Sequence, residues 1–544
     1  MSTTHEKPDA AEEEKEIAVS NDGCDQVSHA EGVGRDYELK CNLSNKCFQE
    51  EIRFGRYQWQ LFILTGLGWL ADSEMKVARA YVTCLWSLDM WFQGLAVALP
   101  QVQQELNPVR VEYAVLAEFA GLIVGATTWG ILADVIGRRL SFNITLFLAG
   151  LFGLAAGGAP NFVIFSSLVA CMGFGLGGNL PVDGALYLEH IPQSHQWTLT
   201  LLSVWWALGQ LVSSLIGWVF IANFSCDASI PNGLCPKSDN MGWRYILFTL
   251  GALTFSIFIC RFFVFDVQES SKFLIAQGRD EEAIKVLEHI ARRNGVSITL
   301  TLKDLQAVSG DTTSKPAPKL STSVWNAFST LSLLIGIAYP LFNAYLPLYL
   351  DGQGTATGSS SLNEAYRNYS IISILGIPGS LIACAVVDYT RGTGRWLIGG
   401  RKLSLAVSTM LTGFFLFLFT TSKTTAAVLG YSCASGLTQN AVRVIYIELG
   451  VVVLILLQMY GVLYAYTPEV FPAPHRGTGD ALCAALNRIG GFIAPLIKIA
   501  TTPLSGSAST TSANSPVFVS ASLFMVAALL TMLLPIETAG KMAL

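Results

Sequence analysis

Apolar runs of about eighteen or more residues recur along this chain, and they constrain its fold more than any other feature. A run of that length in helical form crosses a bilayer with its backbone hydrogen bonds satisfied internally. A membrane β-strand alternates apolar and polar residues, so continuous runs exclude a β-barrel. Of the 544 residues, 52% are hydrophobic and 13% charged, whereas a soluble domain carries about 25% charge. The chain reads as an all-α, multi-pass membrane protein.

The stretch Gly130–Arg139, GILADVIGRR, joins two of these runs in a tight connection. Short loops rich in Lys and Arg stay in the cytoplasm, so Arg138 and Arg139 set the orientation. The spacing predicts twelve spans with both ends inside. Residues 1–55 are polar and acidic and read as a disordered cytoplasmic tail without a signal peptide. Six spans follow within 56–265, a hydrophilic cytoplasmic segment covers 266–323, six more spans fill 324–535, and 536–544 form a short inner tail. Asp388, Arg395 and Arg401–Lys402 in the second half echo Asp134, Arg138 and Arg139 in the first. Repeated halves are common in transporters, with the substrate held between them near the midplane. The polar loop with Cys226 and Cys235 then faces outward, where a disulfide can persist. Asn223 and Asn368 open N-x-S sequons on the same side.

GILADVIGRR resembles the loop between spans 2 and 3 of major facilitator superfamily transporters. QESSKFLI, Gln268–Ile275, resembles the box after span 6 of the sugar-porter-like branch, and YTPEVFPAPHRGTG, Tyr466–Gly479, the box after span 10. GNLPVDGALYLEHIP is similar to the synaptic-vesicle-protein-related transporters in their fungal form. The resemblance implies a major facilitator fold of twelve helices in two pseudo-symmetric six-helix halves. It also implies a cytoplasmic gate of charge pairs across the two halves, built from Asp134, Arg138, Arg139, Glu189, Glu269, Asp388, Arg395, Glu469 and Arg476.

Two motifs are split. Relatives of this type read G-W-x-A-D-x-M-W-x-Q-G unbroken; here GLGWLAD and DMWFQG are separated by SEMKVARAYVTCLWSL, with Glu74, Lys76 and Arg79. GLTQN and MYGVLYAYTPEVF are separated by AVRVIYIELGVVVLILLQ. Each charge costs about 2.5–3.5 kcal/mol at a helix centre. The segments 73–89 and 441–458 read either as retained introns or as genuine extra loops.

An acid inside an apolar run is costly unless paired, hydrated or protonated, which makes Asp72 and Asp183 the proton-coupling candidates. Proton-coupled sugar porters carry an arginine ahead of the span-4 glycines; SLVACMGFGLG has none, so their acid–arginine pair is missing. Gln210, in ALGQLVSSLIG, resembles the sugar-porter glutamine that hydrogen-bonds a hydroxylated substrate. The alternative role of Gln210 is a hydrogen bond between helices. Asn179, Asn343, Tyr345 and Asn487 complete the substrate-binding set. Arg488 suits an anionic solute or an inner-side anchor. His190 and His195 read as solvent-exposed loop residues.

The sequence contains no phosphate loop, metal cluster or nucleophilic triad, so no cofactor, metal or enzymatic role is expected. The expected function is secondary transport of a small polar or organic solute by alternating access, with proton coupling open. The partners are that solute, protons if coupled, and the lipid bilayer, with no nucleic acid, and the chain acts as a monomer. The plasma membrane is the expected site, with vacuolar or other endomembranes as alternatives. A sensor on the same fold is the rival reading, disfavoured by the short inner tail; a defective product carrying retained introns is another.

Overall fold

The computed structural model describes residues 35–68, 88–195, 197–202, 204–226, 230–263, 267–307, 322–346, 363–374, 390–391, 398–421, 425–440, 463, 476–501 and 510–534. Helix α1 (Arg35–Lys46) runs into a π-helical turn, Cys47–Ile52. The first half contains α2 (Arg56–Gly68), α3 (Leu88–Leu106), α4 (Glu112–Ile136), α5 (Arg138–Gly157), α6 (Phe162–Glu189), α7 (Trp197–Leu201), α8 (Val204–Phe224) and α9 (Gly242–Phe263). Between the halves lie α10 (Ser271–Ala276), α11 (Asp280–Asn294) and α12 (Leu302–Ala307). The second half contains α13 (Thr322–Asn343), α14 (residues 363–374), α15 (Gly400–Thr421), α16 (Thr425–Asn440), α17 (Arg476–Thr501) and α18 (Thr510–Met532). Thr390–Arg391 pairs antiparallel with Ile398–Gly399 in the basic loop before α15.

Among the described residues, eight helices are long and apolar enough to cross a membrane. They match expected spans 2–6, 9, 11 and 12. Helices α2 with α3, α13 and α16 stand where spans 1, 7 and 10 were expected, and α14 reaches only residues 371–374 of the expected span 8, Ile371–Val387, the rest of which lies outside the described residues. The segments 73–89 and 441–458 lie outside the described residues, except that Leu88 and Asp89 open α3. Both flanks of the split span-1 motif are helical: GLG closes α2 and DMWFQG begins within α3.

Helices pack at backbone contact where glycines permit it. A Cβ on Gly121 of α4 would sit 2.0 Å from the Ala170 carbonyl oxygen of α6. One on Gly336 of α13 would sit 2.0 Å from that of Asn487 of α17. In a bilayer no hydrophobic force gathers helices, so such close approach supplies the packing attraction that does. One apolar core runs through both halves, including Trp91, Phe119, Leu250, Ile335, Tyr369 and Phe524. A second lies at the inner end, around Phe48, Tyr57, Phe142, Tyr187, Phe273 and Leu287.

That inner core corrects the expected disordered tail over residues 35–55. Cys47, Phe48 and Ile52 are buried. Lys40 pairs with Asp280, Ser44 Oγ lies 3.1 Å from Ser271 Oγ, and Thr299 donates from its backbone and hydroxyl to Glu51 at 2.6 and 2.7 Å. The reason is the amphipathic helix α11. Its stripe of Ala283, Ile284, Leu287, Ile290 and Ala291 is buried, and the N-terminal arm helps to cover it. Composition hides the arm because its few apolar residues sit among many polar ones. Residues 1–34 lie outside the described part of the chain.

Candidate functional site

At the inner end, α4 gives way to α5 through Gly137, whose φ of 103° suits glycine. The backbone N–H groups of Arg138 and Arg139 donate to Glu269 at 3.1 and 3.2 Å. Glu269 thereby satisfies open donors at a helix N-terminus and complements its dipole. The Arg138 guanidinium turns inward to Glu189, 3.2 Å away, with both side chains almost fully buried. It also lies 5.2 Å from the Phe273 ring centre. Arg139 is exposed and edges a groove of about 600 Å³ shared with Glu269, Arg279 and Lys285.

These contacts join α4, α5, α6 and the start of α10, all within the first half and the segment after it. Glu189 and Glu269 border the loop and hold it from its own side. Asp388, Arg395 and Glu469 lie outside the described residues, as do the side chains of Asp134 and Arg476.

His190 follows Glu189 and is fully buried, which corrects its expected exposure. Phe48 and Tyr57 lie with ring centres 6.5 and 5.9 Å from it, and Nδ1 lies 2.8 Å from the Leu186 carbonyl oxygen. The arm and α2 roof over this position, a tertiary cover that a loop-like sequence cannot announce. Burial holds the imidazole below its usual 6.5, against the upward pull of the Leu186 carbonyl and of Glu189 and Glu269. His195 stacks on Phe54 at 4.6 Å.

Deeper in the bundle, Asn179 and Asp183 are fully buried on α6, one helical turn apart. Neither polar atom of the Asn179 amide has a hydrogen-bond partner among the described residues. Gln210 on α8 is buried. Asn343 donates to the Tyr339 carbonyl of its own helix at 3.3 Å. Asn487 donates to the Ser332 carbonyl at 2.9 Å and so ties α17 to α13, and Arg488 beside it is also buried. Asp72 lies outside the described residues.

Toward the outer end the two halves touch. Gln93 of α3 donates to the Tyr339 hydroxyl at 3.2 Å and accepts from the Tyr369 hydroxyl. Tyr366 donates to the Val97 carbonyl at 3.0 Å, and the Phe92 and Tyr339 rings lie 5.8 Å apart. Lys498 of α17 lies 3.7 Å from Glu112 of α4, each side chain 9% exposed, and 3.4 Å from the Tyr345 ring centre. Tyr345 therefore belongs to this outer contact, away from Asn179 and Gln210. Gln93, Glu112 and Lys498 were missed from sequence. The signal was present: Lys498 interrupts an apolar run as Asp72 does, and Gln93 lies in the quoted DMWFQG.

Cys226 and Cys235 are disulfide-bonded in the loop between α8 and α9. Asn223 is exposed at the end of α8, whereas Asn368 is half-buried within α14.

The Major Facilitator Superfamily model matches residues 81–495. MFS siderochrome iron transporter 1 of Ceriporiopsis subvermispora is 39% identical, over 99% of this chain and 97% of its own. Synaptic vesicle 2-related protein of Xenopus laevis is 26% identical, over 90% of this chain and 80% of its own. The solved structure of the proton:xylose symporter XylE bound to 6-bromo-6-deoxy-D-glucose superposes with a TM-score of 0.61 at 16% identity, covering 90% of this chain and 98% of that one. With a family match across most of its length and a relative spanning nearly all of it, this chain belongs to the major facilitator superfamily of membrane transporters.

Proposed function

We propose that this protein is a proton-coupled secondary transporter that moves a small polar or organic solute by alternating access. The observation that carries the reading is the cross-half closure at the outer end, where Gln93 bonds Tyr339 and Tyr369 and Lys498 meets Glu112. Beneath that closure lie Asn179, Asp183 and Gln210, polar side chains buried in the bundle. A buried amide with unmet hydrogen bonds is costly, and a bound solute or water can meet them. In this conformation the solute leaves inward. Arg138, Glu189 and Glu269 hold the inner end of the first half together as a rigid unit while the halves rock.

The names of the compared proteins point to iron siderochromes and to xylose. The side chains favour neither by themselves: amides and phenols serve hydroxyls, and Arg488 adds a cation suited to a carboxylate or hydroxamate. Gln210 and Asn179 are assigned to solute binding and Asp72 to proton coupling, in the plasma membrane. The test is uptake by cells expressing the full chain, using labelled pentoses, hexoses, nicotinate and ferric siderophores, with and without an inward proton gradient. One solute accumulating under the gradient supports the reading, provided Asp72→Asn abolishes accumulation but spares exchange. A chain that binds a solute and never accumulates or exchanges it is a sensor and overturns it.

A further inference from the structure

Glu118 takes part in neither cluster. It lies on α4 about 9 Å along the helix from Glu112, inside the apolar span Glu112–Ala133. The residue is 1% exposed, and its Oε2 has no hydrogen-bond partner among the described residues. Glu118, Gly121 and Gly125 fall on one stripe at helical spacing, and this stripe meets α6. A Cβ on Gly173 would sit 2.5 Å from the Glu118 carbonyl oxygen, and one on Gly125 would sit 2.2 Å from that of Phe174. The adjoining stripe, Glu112 and Phe119, meets α17 at Lys498 and Gly491. Glu118 therefore sits beside a seam of three helices, beneath the outer closure.

The charged groups on the packed helices are placed elsewhere. Arg138 of α5 is committed to Glu189 of α6, and Lys498 of α17 to Glu112. Arg139 is exposed at the inner end of α5. Asp183 lies toward the inner end of α6, and Arg488 lies on α17 between Asn487 and the Phe119 contact at Gly491. No ion pair joins Glu118 to any of these among the described residues. An unpaired carboxylate charge within a span costs about 2.5–3.5 kcal/mol. A proton on the oxygen removes that charge.

We propose that Glu118 is a proton-binding site. Its O–H bond forms with a proton from outer water when the Glu112–Lys498 contact parts and α4 swings from α17. The proton stays while the seam is closed, and the bond breaks when inner water reaches the carboxyl. Its use in transport rests on the proton-coupled reading above; the site itself is testable without a solute.

The test is infrared spectroscopy of the purified full-length protein in nanodiscs at neutral pH. Exposed carboxyls are ionised there, so a carboxylic-acid C=O band sensitive to D2O reports buried protonated acids. The expected result is such a band in the wild type, its loss in Glu118→Gln and its retention in Asp72→Asn. A band unaltered by Glu118→Gln overturns the proposal. If that variant does not purify as a single species, Glu118→Asp decides: a displaced band supports the site and an unmoved band overturns it. Uptake that ignores a proton gradient while the Glu118 band is present sinks the coupling reading and leaves the proton site standing.

Discussion

The Lys498 ammonium lies 3.7 Å from the Glu112 carboxylate, so one contact ties the eleventh expected span to the second across the halves. It is also the cation on the Tyr345 ring. Removing one member of a mostly buried pair leaves the other uncompensated.

Lys498→Ala is therefore expected to loosen the outer closure. A cysteine placed at Gln210, buried beneath it, should react with a membrane-impermeant maleimide roughly tenfold faster, the equivalent of about 1.4 kcal/mol. The exchanged pair Glu112→Lys with Lys498→Glu should bring the rate back toward the wild type. An unchanged rate in Lys498→Ala would show that the contact does not hold the closure. Cys171, an exposed native thiol, must be replaced first.

Arg138→Ala strands Glu189, whose side chain is fully buried. The expected loss is about 3–5 kcal/mol, seen as a lower melting temperature of the purified protein. Arg138→Ala combined with Glu189→Ala should cost less than the two single changes summed, because the pair acts as one unit. Strict additivity would contradict the pairing.

Gly137→Ala should destabilise on two counts. Its φ is 103°, and a Cβ would sit 2.6 Å from Glu269 Oε2. Glu269→Gln keeps the shape but removes the charge at the α5 N-terminus, and should cost about 0.3–2 kcal/mol. Thermal denaturation of the two variants checks the order, with the glycine change the larger.

His190 makes stability depend on pH. Unfolded, it takes a proton near its ordinary 6.5; folded, burial lowers that value. Below 6.5 the unfolded chain holds more protons, so stability falls as pH drops through the window between the folded value and 6.5. Above 6.5 this contribution is fully present. The slope is at most about 1.4 kcal/mol per pH unit. The melting temperature of His190→Gln should fall less steeply than that of the wild type across the same window. Parallel curves would rule His190 out.

Much of the fold was legible in the sequence because spans are local: continuous apolar runs place α4, α5, α6, α9, α15 and α18 without any tertiary knowledge. The basic turn at Arg138–Arg139 was equally local. What escaped depends on partners distant in sequence. Lys498 and Glu112 each look like a stray charge near a helix end until the bundle brings them together. His190 looks like a loop residue until Phe48 and Tyr57 close over it. The arm was misread because composition averages over a stripe of only a few apolar side chains, Cys47, Phe48 and Ile52, and it is that stripe which docks.

The docking of that arm bears on how the protein is made. Lys40 and its partner Asp280 are separated by 240 residues. At ~5–20 residues per second, the arm waits on the order of tens of seconds at the ribosome before α10–α12 exist to receive it. Helices α2–α9 therefore form with their inner face unfinished, and the segment after them completes it. A gene divided into two polypeptides should be cut after Ala307, beyond α12, so that the first piece keeps the helices that seat its own beginning.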